Sequence, residues 1–203
     1  YGDHRDLHLS LRRQRQMCIR DSNGTSRVAA AAAGIDCSHV VLLQGDEPLL
    51  LPRHLEAFLH VIGEDPSWSA WNATGPIEEE GDLDRHSFVK CAVSRSDRIL
   101  YCFRRTPSHS SFDLQVSFIR KILGIMAFGK EFLLSLPDHA PSRIEQAESI
   151  EQMRIIEHGY AMRSVPVSHS LPSVNEPDEA RIVNDCVESD EEQQDLLHRI
   201  LEG

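Results

Sequence analysis

The chain has 203 residues, 40% of them hydrophobic, and a formal net charge of −11. One good-sized core fits that length and two ordinary domains do not, while so acidic a balance lacks the basic footprint that nucleic acids and anionic membranes require, so neither partner is expected. No run approaches the roughly 20 apolar residues that span a bilayer, no charged-then-apolar signal segment opens the chain, and five scattered cysteines without a CxxC or CxxH pair suggest a reducing cytoplasm rather than zinc or a disulfide framework.

Residues 1–22 read differently from the rest. Leu11-Arg12-Arg13-Gln14-Arg15-Gln16 is basic and patternless, and the string Ser10 to Ser22 resembles translated sequencing-adapter read-through, with a real basic arm as the alternative, so the folded domain is placed at 23–203. His4 and His8, at i and i+4, are read as a solvated pair. From Asn23 the pattern is that of an α/β protein: an Ala-rich helix Ser26 to Ala33, a turn at Gly34, and a buried strand Val40-Val41-Leu42-Leu43 that runs into Gln44-Gly45-Asp46-Glu47-Pro48. Pro52 starts a helix whose expected apolar face is Leu55, Phe58, Leu59 and Ile62.

Phe88 to Val93 and Arg98 to Phe103 flank Ser94 to Asp97, which is hairpin turn chemistry. Thr106 to Leu114 reads as a loop able to act as a lid, and Ile122 to Phe128 as another strand. Ile144, Ala147, Ile150, Met153 and Ile156 predict one face of a single helix. Val165 and Val167 mark a short strand before Ser173 to Glu179 and a further helix, and the acidic stretch Glu188 to Asp195 leads into a last helix. That helix carries Leu196, Leu197, Ile200 and Leu201, a set able to dock on the domain or on a partner subunit.

Alternating strands and helices predict a doubly wound α/β sheet covered on both faces, with ligands at the carboxyl ends of strands. Gln44 to Pro48 falls at such an end. A carboxylate pair there, Asp46-Glu47, suits Mg²⁺, which takes one or two carboxylates and leaves positions for phosphate oxygens; a helix-start acidic cluster is the other reading.

Val41 to Pro48 resembles the strand and metal loop of the CMP-Kdo synthetases. Asn23-Gly24-Thr25-Ser26-Arg27 is similar to that family's Ser-Gly-Thr-Glu-Arg segment, Lys90 and Leu100-Tyr101 to Arg104 resemble its central hairpin, and Glu145 to Arg154 is similar to its long helix, all in the family's order. The resemblance implies a mostly parallel, mixed sheet of nucleotidyltransferase, Rossmann-like type. It implies an Mg²⁺-dependent cytidylyltransferase that joins CTP to Kdo or a related keto-sugar acid and releases pyrophosphate, in surface-glycan synthesis, as a cytoplasmic homodimer. Carried over, Asp46 and Arg27 become the catalytic residues and Asp46 with Asn175 the metal ligands. Asn23, Gly24, Arg27, Gln44, Arg104, Glu145 and Gln146 become the substrate contacts. For Arg27 an exposed helix-start arginine is the alternative, and for Glu145-Gln146 an ordinary polar helix face.

The chain departs from the family pattern in three places. Asn175 stands where the family has its second metal aspartate; its amide oxygen is a weaker, uncharged ligand, so it reads first as a helix N-cap with Asp178 three residues on, and as a metal contact through water second. Ile122 stands where the family has a histidine, which leaves open an amino-substituted or nine-carbon acid in place of Kdo. No N-terminal glycine-containing nucleotide loop is recognised in residues 1–22, so turnover by the chain as written is expected to be impaired, and a binding module without catalysis is the alternative from another class.

Overall fold

A computed structural model describes residues 24–168, 172–174 and 179–202. Its centre is one long strand. Ile119–Gly129 (β5) has the run Leu123, Ile125, Met126, Ala127 and Phe128 buried, as a strand covered on both faces must be. Its C-terminal half pairs antiparallel with His39–Leu43 (β1), from His39 opposite Gly129 to Leu43 opposite Ile125. Its N-terminal half pairs antiparallel with Lys90–Val93 (β3), Lys90 lying opposite Lys121. β1 and β3 therefore share one edge of β5 and leave Ile122 to Gly124 between them.

On the other edge of β5 lies Ala70–Gly75 (β2), antiparallel to it, and Met162–Pro166 (β6) extends the sheet parallel to β2. Ile99–Phe103 (β4) closes the β3 edge as a hairpin partner. The result is a mixed six-stranded sheet, with β1, β2 and β6 running one way and β5 reversed. In the hairpin turn Asp97 adopts φ 58°, the left-handed conformation that Asp tolerates better than most residues.

Helices cover both faces. Gly24–Ala32 (α1) packs Ala29 and Ala32 with Leu42, Met126, Phe128 and Met153 on one side. Pro52–Glu64 (α2) packs Phe58 and Ile62 with Trp71, Ala127 and Val165 on the other. Burying Phe58 or Ile62 in this way is worth about 1.5–3 kcal/mol each. Leu59, expected on the same face, is 53% exposed; Val61, one residue before Ile62, packs inward instead.

The loop after β4 ends in the short helix Phe112–Gln115 (α3). Buried Gln115 ties the loop down, accepting from Thr106 Oγ1 at 2.8 Å and donating to Ser110 O at 2.7 Å. Lys130–Ser135 (α4) comes directly after β5.

The single helix expected across Ile144 to Ile156 is two: Arg143–Glu148 (α5) and Gln152–Glu157 (α6). Ser149 breaks it by turning left-handed at φ 55°. Ile150 and Met153 reach the core as expected, but Ala147 faces solvent. Glu179–Ser189 (α7) and Glu191–Glu202 (α8) end the described chain. Leu197, Ile200 and Leu201 on α8 are exposed rather than docked on the domain. No helix among the described residues is long and apolar enough to cross a membrane.

Candidate functional site

The gap on the β5 edge is where the cleft forms. After Leu43 the chain leaves the ladder, Gln44 N donates to Gly124 O at 2.8 Å, and Gly124 N donates to Glu47 Oε1 at 2.7 Å. The loop after β1 is thereby sewn to the middle of β5 by two backbone groups that no strand takes. A Cβ at position 124 would lie 2.7 Å from Glu47 Cγ and 2.9 Å from Gln44 Cβ, so only glycine admits this approach.

The cleft has a volume of about 230 Å³. Gln44, Asp46 and Glu47 form one wall, Phe88, Arg104 and Lys121 another, and Glu151 and Gln152 a third. Ser173 also lines it, and Val174 N donates to Asp46 O at 2.9 Å, which joins the segment before α7 to the Asp46 loop.

Each side chain is held by something identifiable. Gln152 Nε2 donates to Asn72 Oδ1 at 2.9 Å, and Asn72 Nδ2 donates in turn to Leu123 O and Ala73 O, so a buried amide pair forms the floor. Arg104 spans the hairpin end and the Ser149 turn, its Nε on Glu148 O at 2.8 Å, Nη1 on His86 O at 2.9 Å and Nη2 on Ser149 O at 3.3 Å. Beneath it the fully buried Lys90 donates to Arg85 O at 2.8 Å and to Arg104 O. Burial lowers the Lys90 pKa to about 8, against the pull of Asp84 and Asp82. Glu47 is pushed above its ordinary value, chiefly by burial and against the Gly124 hydrogen bond.

Of the residues expected from sequence, Gln44, Asp46 and Arg104 meet in this cleft. Arg105 turns outward toward Asp84, as strand alternation requires. Gly24 is one step removed, its amide donating to Glu151 Oε1 at 2.9 Å. Arg27 does not line the cleft; its Nε is buried on α1 without a hydrogen-bond partner among the described residues. Asn23 and Asn175 lie outside the described residues.

Glu145 and Gln146 are a correction. Glu145 is buried in a capping box with Ser142 at the start of α5 and takes a two-pronged ion pair from Arg154, both contacts at 2.7 Å. Gln146 faces solvent, and neither lines the cleft. The Glu-Gln pair that does is Glu151-Gln152. The same dipeptide occurs twice, six residues apart, and the left-handed Ser149 between the copies decides which one faces the cleft. Lys121 and Gly124 were also missed, whereas Glu47 was read with Asp46 as a carboxylate pair. The glycine inside a strand pattern was the available signal for a close backbone approach.

A family model described as cytidylyltransferase matches residues 12–164. The chain is 34% identical over 164 residues to the 3-deoxy-manno-octulosonate cytidylyltransferase of Chlorobium limicola, covering 79% of this chain and 66% of that protein. It is 35% identical over 160 residues to that of Anaeromyxobacter dehalogenans, covering 78% and 65%. Among solved structures it is similar to a CMP:2-keto-3-deoxy-manno-octonic acid synthetase complexed with CTP, with TM-score 0.75 and 27% identity over 83% of this chain and 69% of that one. The chain thus spans about two thirds of the length of these curated relatives.

Proposed function

The chain belongs to the cytidylyltransferase family, and from that membership we propose that its protein transfers CMP from CTP to the anomeric hydroxyl of Kdo or a related keto-sugar acid, releasing pyrophosphate. The observation that carries the proposal is the cleft at the end of β1, where Gln44, Asp46, Arg104 and Gln152 converge. The named activity of the relatives supports the substrates.

The reaction asks for in-line positioning and charge stabilisation rather than a covalent nucleophile. The acceptor hydroxyl oxygen forms a bond to the α-phosphorus while the bond to the pyrophosphate oxygen breaks. Gln152, its amide nitrogen committed to Asn72, keeps its amide oxygen for a substrate hydroxyl. Arg104, anchored on three carbonyls, presents a fixed positive edge to an anionic ligand.

Mg²⁺ fits the donor set, since Asp46 brings a half-buried carboxylate to the cleft beside Glu47 and a hard cation takes one or two such oxygens together with phosphate. Asp46 would hold it, with Asn175 as the proposed second ligand. Bound there, the ion would neutralise phosphate charge. A homodimer through the exposed Leu197, Ile200 and Leu201 of α8 is part of the same proposal. So is a cytoplasmic location, supported by Cys91 and Cys102, which face one another across β3 and β4 as free thiols.

The test is pyrophosphate release from CTP and Mg²⁺ with a panel of keto-sugar acids. It is run on the chain and on a version whose residues 1–22 are replaced by a family-type strand and nucleotide loop. Ile122 lines the cleft where the family has a histidine, so the panel includes amino-substituted and nine-carbon acids. Release with one acid names the substrate; no release with any, from folded protein, favours a binding module without catalysis.

A further inference from the structure

Lys121 enters the cleft from the N-terminal half of β5, opposite Lys90 of β3 and Gly75 of β2, and is 7% exposed. Its ammonium sits 3.9 Å from the centre of the Phe88 ring, which also carries the Arg85 guanidinium at 4.2 Å. Arg85 is satisfied by Glu179 at 2.8 Å. Lys121 has no such acceptor: among the described residues it makes neither a hydrogen bond nor an ion pair.

The side chain is buried while its ammonium borders the cleft, and a partly desolvated ammonium without a protein acceptor is costly. Burial lowers the pKa of Lys121, and the charges of Glu47, Asp82 and Glu179 only partly offset this from beyond ion-pair distance. The other cation of the cleft, Arg104, is fixed by three backbone carbonyls and keeps its remaining N–H groups for a ligand, whereas Lys121 holds no protein acceptor among the described residues. Lys121 also stands where the cleft meets an adjoining hollow of about 200 Å³, the two sharing Phe88, Lys121 and Ser173. A ligand seated in the cleft therefore meets this ammonium at its edge.

We propose that Lys121 is a substrate-contacting residue of the cleft that receives an oxyanion, either the carboxylate of the sugar acid or a phosphate of CTP. The Phe88 ring holds the aliphatic stem and ammonium in place before the ligand arrives, and the oxyanion supplies the missing acceptor. The proposal rests on the cytidylyltransferase reading of the cleft and adds to it the residue that matches the anionic charge of the substrate.

The experiment is calorimetric titration of the chain with CTP plus Mg²⁺, with pyrophosphate, and with Kdo, comparing wild type, Lys121→Gln and Lys121→Arg. Arg105→Gln, which removes one positive charge outside the cleft, is the control. Lys121→Gln is expected to weaken one class of ligand by about tenfold or more, as loss of a charge-assisted hydrogen bond does. Lys121→Arg should stay within about threefold of wild type, because it keeps the charge and donor. Loss confined to Kdo assigns the carboxylate; loss of CTP and pyrophosphate assigns a phosphate. Wild-type affinity of Lys121→Gln for all three ligands overturns the proposal and leaves the functional reading standing. Equal losses in both Lys121 variants, with matching drops in melting temperature, overturn it in favour of a packing role. Absence of binding to all three ligands, both in the chain and in the version carrying a family-type strand and nucleotide loop in place of residues 1–22, overturns the proposal and the functional reading together.

Discussion

Thr25 and Glu151, 126 residues apart, are joined by a 2.6 Å hydrogen bond from Thr25 Oγ1 to Glu151 Oε2. The same carboxylate accepts from Thr25 N at 3.2 Å and from Gly24 N at 2.9 Å. Two of the amides that a helix start leaves without intrahelical partners are thus satisfied by a residue from the cleft wall, with favourable charge at the positive end of α1. Glu151→Ala should destabilise the protein by roughly 2 kcal/mol, within the range for hydrogen bonds to a charged group. It should also speed amide exchange at Gly24 and Thr25. Glu151→Gln, which keeps one acceptor oxygen, should lose less. Unchanged exchange at both amides in Glu151→Ala would show that α1 is held by its apolar face alone.

The two Glu-Gln pairs give separable outcomes. Glu145 exchanges two 2.7 Å contacts with Arg154 in a site where the side chains are only 10% and 14% exposed. Glu145→Gln should therefore cost about 3 kcal/mol of stability by leaving a buried guanidinium poorly matched, while ligand affinity in the surviving folded protein stays near wild type. Gln152→Leu should do the reverse in emphasis: it removes a cleft amide and leaves Asn72 Oδ1 short of a donor. An affinity loss of about tenfold or more is expected, with destabilisation of about 1–3 kcal/mol. Denaturant melts and CTP and Kdo titrations on both variants decide it; a large affinity loss in Glu145→Gln with stability intact would return that residue to the site.

Local periodicity accounts for the parts of the fold that were legible in the sequence. The strand run Val40 to Leu43, the helix from Pro52 and the hairpin around Ser94 to Asp97 each repeat a local rule, and each is present within a residue or two of expectation. The cleft residues Gln44 and Asp46 were legible because they come directly after a buried strand. Glu151-Gln152 was not, because in an unbroken helix Glu145 and Gln152, seven residues apart, would share a face. Only the left-handed backbone of Ser149 separates them, and serine carries no strong signal for that conformation. Lys121 was hidden for another reason. Its neighbours Phe88 and Glu47 come from distant segments, and a lysine in a strand reads as solvent-facing until its cover is known.

Gly124 offers a direct test of the stitched edge. Alanine there sets a methyl 2.7 Å from Glu47 Cγ and 2.9 Å from both Gln44 Cβ and Gln44 Oε1, so the Gln44 to Glu47 loop must move outward. Overpacking of this kind costs about 1–3 kcal/mol. Because the displaced loop carries Asp46, CTP affinity measured with Mg²⁺ should fall by more than the stability change alone explains. Gly129→Ala, with nothing within 4 Å of its added Cβ, is the matched control on the same strand. Equal CTP affinity in the two variants would show that the approach of loop to strand does not set the cleft.

Lys90 makes stability depend on pH in a direction that can be worked out. Its pKa is about 8 in the fold against 10.5 ordinarily, chiefly through burial. Between those values the unfolded chain holds the proton that the folded protein has released, so stability rises with pH across that window. Below pH 8 both states are protonated and the penalty of the buried ammonium is present in full. Cys91, whose thiol is pushed up to about 12 by burial, acts oppositely at higher pH, because there the unfolded chain loses its thiol proton first. The contribution of Lys90 is therefore isolated as the difference between wild type and Lys90→Met, measured by urea unfolding from pH 7 to 10. That difference should shift in favour of wild type as pH rises, approaching roughly 3 kcal/mol over the whole window at 1.36 kcal/mol per unit. A difference that is flat, or that moves toward the variant, would mean that the carbonyls of Arg85 and Arg104 compensate the ammonium fully and that Lys90 titrates in the fold as it does in the unfolded chain.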